Sequence, residues 1–317
     1  MKWNKLYFPA AILGLLALSI LGIFAYFDEE EVVRYQISII VDNSSHGKWN
    51  RFRAGLENAS DDFDVSLNYV MTESLTDTEQ EIKLISNEIS AGCDAVIVQF
   101  AEADDEIEAI SDIDIKTTLV IVANPVDVLS TSSSMVPVIC PDGRLTGAAA
   151  AEKLLENSRD EALRVGIISG SLKQNVMQER LDGFMNVLSG GAAEAVWVSE
   201  SGIPEDAYKN TDVLAALDNE SLEAAVDYVL EHPEADIRIY GIGGSDKTVY
   251  WLDHGEIDAM VVTDDFTMAY SAVKTAVDLL KYHDYDRTEK VSIGFAVVTK
   301  ENMYSYENQH MLFPEIH

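Results

Sequence analysis

Polar and aromatic side chains stand directly after apolar runs that are typical of buried strands. Gln99 follows the run Ala95–Val98, and Trp49 opens a helix after the polar turn 42–47 that ends the run 37–41. Parallel sheets present ligand contacts at the carboxyl ends of their strands. An amide and an indole at such an edge can hydrogen-bond to a small polar molecule and stack on it. The alternative interpretations are a core role for Trp49 and simple solvation for Gln99.

Catalytic and metal chemistry has little support in the sequence. The six histidines show no ligand spacing on one helix face, and no Ser–His or Cys–His arrangement is placed to act. The glycines of residues 241–244 lack the spacing of a dinucleotide-binding loop. Cys93 and Cys140 each flank a strand-like run and are predicted to be buried, unpaired thiols. We therefore expect no enzymatic activity, metal site, cofactor or disulfide.

Apolar runs rich in β-branched residues alternate with helix-like segments along the chain. One helix is predicted over residues 77–90, and strands that alternate with helices predict an α/β fold with parallel sheets. Only about a dozen residues separate two of the strands, after residue 198, which is short for a crossover that contains a helix. The strand-like runs are 37–41, 95–98, 119–122, 136–139, 165–168, 195–198, 213–217 and 237–242.

Composition indicates a globular protein with a strongly acidic surface. The 317 residues are 47% hydrophobic, which is enough for two domains with apolar cores. Asp and Glu number 55 against 22 Lys and Arg, so the formal net charge is -33. Such a surface repels the phosphate backbone of a nucleic acid, which excludes DNA and RNA as partners.

The N-terminal residues 6–27 contain no charged side chain. A helix of that length can span the roughly 30 Å hydrocarbon core of a bilayer. Lys2 and Lys5 precede the run and acidic residues 28–31 follow it, which predicts a cytoplasmic N-terminus and a body outside the cytoplasm. We expect a retained transmembrane helix in the cell membrane. The alternative is a signal peptide cut after Ala25, which would release the body as a secreted protein.

Three stretches of the chain read VPVICPDGRLTGAAAAEKLLE at 136–156, IISGSLKQNVMQERLDGF at 167–184 and LDHGEIDAMVVTDDFTMAYSAVKTAVDLL at 252–280. In this order they resemble the type I periplasmic-binding-protein superfamily, which includes ribose-type sugar-binding proteins and the ligand-binding body of the lactose repressor. The similar parts cover most of residues 35–304. The resemblance implies two doubly wound parallel-sheet lobes that close on a ligand held between them.

The resemblance also implies how the chain divides. The lobes are joined by a hinge of three crossings, near Pro141, Thr263 and Lys290. The expected domains are a membrane anchor with an acidic spacer at 1–31, a first lobe at 32–141 plus 264–290, and a second lobe at 142–263 plus 291–317.

Carried over residue by residue, the resemblance implies a set of ligand contacts. Pro125 and Gly243 stand where the family has charged side chains, and Asp246 is an alternative carboxylate for the second of them. The family often has an arginine contact at the position of Gln178, and Arg180 is the alternative source of that contact. These departures predict a cleft with fewer fixed charges than a typical ribose-type site, and therefore an uncharged ligand. The implied contacts are His46, Trp49, Gln99, Asn124, Gln178, Asp218 (which can also be a helix N-cap) and Thr263.

The resemblance implies a membrane-anchored extracytoplasmic solute-binding protein that captures a small uncharged polar ligand, such as a sugar, for an ABC permease. One alternative is a ligand-sensing partner of a membrane histidine kinase. Another is an enzyme of unknown reaction. A transcriptional repressor is excluded because an apolar run and an acidic patch stand where a basic helix-turn-helix would be needed.

Overall fold

The computed structural model describes residues 34–75, 78–101, 117–125, 136–157, 162–200, 202–282 and 290–313. The predicted transmembrane run at 6–27 lies outside these residues. Within the described ranges, no helix combines the length and the apolar character that a membrane span requires. The chain divides into two units, Met1–Arg34 and Tyr35–His317, and all the elements below belong to the second.

The first lobe is built on a parallel sheet with the order β11-β5-β4-β3-β1-β2. Helices α1 (Asn50–Phe63) and α7 (Asp265–Tyr282) cover one face of the sheet, and α2 (Thr78–Ala91) covers the other. Because both faces are covered, the central strands are apolar throughout rather than alternating. The six strands described for this sheet are β1 (Gln36–Ile40), β2 (Ser66–Tyr69), β3 (Ala95–Val98), β4 (Thr118–Val122), β5 (Val138–Pro141) and β11 (Val291–Ile293).

The second lobe repeats this architecture with the order β12-β10-β9-β8-β6-β7. Its strands are parallel except β12, which runs antiparallel to β10 at one edge. The described strands are β6 (Arg164–Ile168), β7 (Glu194–Ser199), β8 (Val213–Ala216), β9 (Arg238–Ile242), β10 (Ala259–Thr263) and β12 (Phe295–Val298). The helices are α3 (Gly143–Glu156), α4 (Asn175–Leu188), α5 (Asn219–Glu231), α6 (Asp246–His254) and α8 (Tyr306–Leu312).

The chain passes between the two sheets at three points. The first follows Pro141 at the end of β5, and the second follows Thr263 at the end of β10. The third lies at Gly294, between β11 and β12, because Ser292 pairs with Cys140 in the first sheet. The third passage therefore lies beyond the predicted crossing near Lys290, and β11 belongs to the first sheet although residues from 291 onwards are predicted to belong to the second lobe. The remaining limits of the predicted domains stay predictions.

The short connection after β7 contains one 3-10 turn, Ala207–Lys209, in its described residues 202–212. Since β6 lies between β7 and β8, this connection has to cross β6. Ile203 and Tyr208 pack on the apolar core beneath it, and the N–H of Tyr208 donates to the hydroxyl of Tyr228 at 3.0 Å. A dozen residues therefore complete the crossover by burying side chains of an irregular segment where a helix would otherwise pack.

The two cysteines are both free. Cys140 is fully buried in β5, as the sequence predicted. Cys93 is only half-buried, because it lies in the turn between α2 and β3 rather than in the strand itself.

Candidate functional site

A cavity of about 460 Å³ lies between the two lobes, at the carboxyl ends of their strands. Asp42 and Gln99 follow β1 and β3 of the first sheet, and Asp218 and Gly243 follow β8 and β9 of the second. The cleft is therefore lined by strand ends of both sheets, the position at which open α/β sheets hold ligands. Its volume falls within the roughly 300–1,000 Å³ that is usual for small-molecule sites.

Trp49 belongs both to the cleft and to the core of the first lobe. It ends the 3-10 turn Gly47–Trp49, where the Nδ1 atom of His46 accepts a hydrogen bond from the N–H of Lys48. The indole is 6% exposed and packs edge-on against Phe52, with ring centroids 5.4 Å apart. Its Nε1 donates to the carbonyl of Asp42 at 2.8 Å. The two interpretations of Trp49 are thus compatible, since the residue is buried in the core and also lines the cleft.

Gln99 presents a hydrogen-bond donor to the cleft. The side chain is 7% exposed, and its Oε1 accepts the N–H of Asp42 at 3.1 Å, which fixes the amide plane. Its Nε2 has no partner among the described residues. Since Gln99 lines the cleft, this nitrogen is available to a bound molecule. An amide nitrogen in that position can donate to an oxygen of a bound molecule.

Asp218 caps helix α5 and lines the cleft at the same time. Its Oδ1 accepts the N–H of Ser221 at 3.0 Å, and its Oδ2 accepts the Ser221 hydroxyl at 2.5 Å. The same Oδ2 accepts the N–H of Gly170 at 2.6 Å, which ties the turn after β6 to the start of α5. Four lone-pair sites on a carboxylate leave room for one further donor, so capping does not exclude a ligand contact.

Arg180 reaches the cleft from helix α4. A Cβ at Gly147 would collide with the carbonyl oxygen of Arg180, so this glycine allows α3 and α4 to pack closely. The guanidinium donates to the carbonyl of Leu217 at 2.9 Å, and its Nε is buried without a partner among the described residues. Burial lowers the pKa of Arg180, and the neighbouring Asp218 opposes this shift. Arginine is not deprotonated in proteins, so the side chain remains a hydrogen-bond donor.

The cleft carries many charges, but most are paired within the protein. Lys48 lies 2.6 Å from Glu220 and 3.6 Å from Asp42, and Arg51 lies 3.0 Å from Asp265. Burial disfavours the ionised form of Glu220, but the Lys48 ammonium outweighs this effect and lowers its pKa. The lining carboxylates are Asp42, Asp218, Glu220 and Asp265, and the lining basic side chains are Lys48, Arg51, Lys173 and Arg180.

Among the described residues, the cleft thus holds eight charged side chains. The expectation of fewer fixed charges than in a typical ribose-type site stays a prediction. It rested on the departures at Pro125, Gln178 and Gly243. Many of the charged lining residues lie in the 3-10 turn or in the first turn of a helix, so the residues at positions 125, 178 and 243 could not indicate them. They are Lys48, Arg51, Glu220 and Asp265. Asp246, the expected substitute carboxylate, does not line the cleft but accepts a hydrogen bond from Asn50 of the other lobe at 2.9 Å.

The structure brings Trp49, Gln99, Asp218 and Thr263 together in the cleft lining. His46, Asn124 and Gln178 do not line it: His46 caps the 3-10 turn, Asn124 is fully buried beside the cleft, and Gln178 is exposed with its Nε2 bonded to the carbonyl of Leu172 at 2.6 Å. A ligand role for these three stays a prediction. Within the described ranges, no cluster of His, Cys, Asp or Glu could hold a metal ion.

The family model described as a periplasmic binding protein domain matches residues 37–284. The chain belongs to the periplasmic binding protein family. Solved structures agree with this binding-protein fold. A carbohydrate transporter solute-binding protein from Agrobacterium radiobacter, in complex with D-arabinose, has a TM-score of 0.78 at 19% identity and covers 89% of this chain and 100% of its own.

Two further structures share the fold. GanP, a glucose-galactose binding protein from Geobacillus stearothermophilus, has a TM-score of 0.73 at 21% identity, and the match covers 86% of this chain and 99% of that one. The Caulobacter myo-inositol binding protein has a TM-score of 0.74 at 17% identity, with 88% and 100% covered. No curated protein matches the sequence.

Proposed function

We propose that the protein is an extracytoplasmic solute-binding protein that captures a small, uncharged, hydroxylated molecule between its lobes. The observation that carries this proposal is the cleft itself, into which strand ends of both sheets project polar groups beside Trp49. Contacts from both lobes make closure depend on the ligand, since a bound molecule stabilises the arrangement in which both sets of contacts are made.

The charge arrangement supports an uncharged ligand. Because Lys48 pairs with Glu220 and Arg51 pairs with Asp265, these side chains have little net charge to offer a ligand. A sugar or polyol uses what the cleft leaves available: the donor Nε2 of Gln99, the guanidinium of Arg180 and an acceptor site on Asp218. Hydroxyl groups both donate and accept, so they suit this mixture better than an ion does.

The names of the similar structures support the same ligand class and a role in uptake. They were solved as proteins that bind D-arabinose, glucose and galactose, or myo-inositol, and one is named as part of a carbohydrate transporter. We extend the proposal to delivery of the ligand to an ABC permease, from a body held at the membrane by residues 6–27. Carbonate-resistant membrane association tests the anchor. A soluble form that begins at Tyr26 would show a cleaved signal peptide instead.

A thermal-shift screen of the purified protein against sugars, polyols and organic acids tests the ligand proposal. A ligand at 100 times its Kd should add roughly 2.7 kcal/mol to the free energy of unfolding. The Arg180→Ala variant should lose most of the shift produced by the best hit, because it removes a cleft donor. Arg144→Ala is the matched control, since Arg144 is exposed and pairs with Asp182 at 3.4 Å outside the cleft. Equal shifts in both variants would contradict the assignment of the site.

A further inference from the structure

Arg51 connects the two lobes directly. It lies in the first turn of α1 and is 7% exposed. Its Nη1 donates to the carbonyl oxygen of Gly244, which belongs to the second lobe. Its Nη2 donates to Oδ2 of Asp265 at 3.0 Å, and Oδ1 of Asp265 accepts the hydroxyl of Thr263 at 2.6 Å. One guanidinium therefore joins the first lobe, the crossing after β10 and the second lobe.

The second-lobe end of this contact is held in place by its own lobe. The N–H groups of Gly244 and Ser245 both donate to Oδ1 of Asn219, at 3.1 Å and 2.8 Å. A Cβ at Gly244 would overlap the Arg51 guanidinium. The absence of a side chain at this position is thus what allows the arginine to reach the carbonyl.

Two neighbouring contacts across the lobes are more exposed. Lys48 pairs with Glu220, whose side chain is 49% exposed, and Asn50 bonds to Asp246. Exposed ion pairs contribute little because water and salt screen them. The contact of Arg51 with Gly244 is buried and charge-assisted, which makes it the strongest of these three contacts between the lobes. Removing its partner would leave a buried guanidinium underpaired.

We infer that Arg51 is a positioning residue that holds the second lobe closed over the cleft. Its hydrogen bond to the carbonyl of Gly244 is called the strap below. Every donor and acceptor in the strap belongs to the protein, so it favours lobe closure whatever the ligand is. A protein whose closed form is already populated binds its ligand more tightly, because less free energy is spent on closure. The inference goes beyond the proposed function, and it can be tested without knowing the ligand.

The distance between nitroxide labels on the two lobes measures closure. Both labels are carried by unnatural amino acids, at exposed Asn58 on α1 and exposed Ala224 on α5, so the native cysteines stay unchanged. The full-length protein is dialysed exhaustively in the denatured state and refolded before pulsed dipolar spectroscopy. In the parent protein we expect a dominant short distance. Gly244→Ala blocks the strap from the second lobe and should lower the ratio of closed to open populations about tenfold or more.

A double-mutant cycle separates the strap from general destabilisation. Arg51→Ala should lower the closed population like Gly244→Ala, and combining the two should add nothing further, because both remove the same contact. Arg164→Ala is the matched control, since it removes a 2.7 Å ion pair with Asp212 that lies wholly within the second lobe. It should leave the distances unchanged. If Arg51→Ala does not fold, the comparison of Gly244→Ala with Arg164→Ala decides.

Two results would overturn the inference. The first is an unchanged distance distribution in Gly244→Ala. The second is an additive effect in the double variant. Neither result bears on whether a sugar binds in the cleft, which the thermal-shift screen decides separately.

Discussion

The side chain of Asn124 bonds to the backbone of Val176 across the two lobes. Its Oδ1 accepts the N–H of Val176 at 3.2 Å, and its Nδ2 donates to the carbonyl of Phe100 at 2.8 Å. The residue is fully buried. Beside it, Nδ2 of Asn175 donates to the carbonyl of Pro125 at 2.8 Å. The amide of Asn124 thus satisfies two main-chain groups at the junction of the lobes.

Asn124→Ala should destabilise the protein. Loss of the amide leaves a carbonyl and an N–H underpaired, at about 1–3 kcal/mol for each buried group. Urea unfolding monitored by circular dichroism measures the change in the free energy of unfolding. Asn58→Ala, at an exposed position of α1, is the control and should change it by less than about 0.5 kcal/mol. A value for Asn124→Ala as small as that of the control would show that the junction relaxes around the lost amide.

Gln99 and Gln178 should differ in their effect on ligand affinity. Gln99→Ala removes a donor from the cleft lining and should weaken binding of the best screening hit by about 0.5–1.5 kcal/mol. Gln178→Ala should have a smaller effect on the Kd, because Gln178 is exposed and its Nε2 is bonded to the carbonyl of Leu172. Calorimetric titration of both variants makes the comparison. The opposite order of effects would restore the ligand contact that the family resemblance implied for Gln178.

Trp49 should affect folding and binding together. Trp49→Phe replaces the indole with a smaller aromatic ring and loses the hydrogen bond to the carbonyl of Asp42, which contributes about 0.5–1.5 kcal/mol, and it should weaken ligand binding. Trp49→Ala should lower the free energy of unfolding of the ligand-free protein by about 3–5 kcal/mol, because the ring is buried against Phe52. Chemical denaturation and calorimetry measure the two quantities.

Trp251→Phe is the matched control for Trp49→Phe. The indole Nε1 of Trp251 is buried without a partner among the described residues, so Trp251→Phe breaks no hydrogen bond there, and we expect it to leave ligand affinity unchanged. The residue lies in the second lobe and outside the cleft lining. Equal losses of ligand affinity in both tryptophan variants would contradict the placement of Trp49 at the cleft.

Cys140 should react with thiol reagents only when the protein unfolds. Burial raises the pKa of its thiol from 9.0 to about 11, so very little nucleophilic thiolate is present at pH 8. Because the folded pKa of Cys140 lies above its unfolded pKa, the buried thiol contributes to the free energy of unfolding. This contribution is fully present below the unfolded pKa and is lost as the pH rises towards about 11. The rate at which each thiol reacts with the reagent, with and without urea, measures its accessibility in the unfolded and folded protein. Half-buried Cys93 should react first, and rapid labelling of Cys140 in the native protein would contradict the burial.

Most of the strands that are buried on both faces could be predicted from the sequence, because such strands leave unbroken apolar runs. Residues 95–98 were predicted as a strand and form β3, and the helix predicted over 77–90 is α2, Thr78–Ala91. The position of β11 could not be predicted in this way. Val291–Ile293 is only three residues long and partly exposed, so no apolar run marks it.

The site was predictable where a side chain follows a strand directly. Gln99 was predicted for that reason, whereas Asp218 was implied by the family resemblance; both line the cleft. Arg51 and Asp265 were missed because each sits inside the first turn of a helix, where a charged residue usually indicates a solvated face. Their roles depend on the approach of the other lobe, which local sequence patterns do not encode. Asn124 stands at a strand end too, yet its amide is used by the main chain of Phe100 and Val176.

Calorimetric titration at low and moderate salt tests most directly whether an uncharged hydroxylated ligand is captured between the lobes. We predict that a sugar or polyol binds to the purified protein. Its Kd should change by less than about twofold between 20 and 200 mM salt, because binding forms no new ion pair that salt could screen. Tight, salt-sensitive binding of a sugar phosphate or an organic acid, with no response to neutral sugars, would contradict this account.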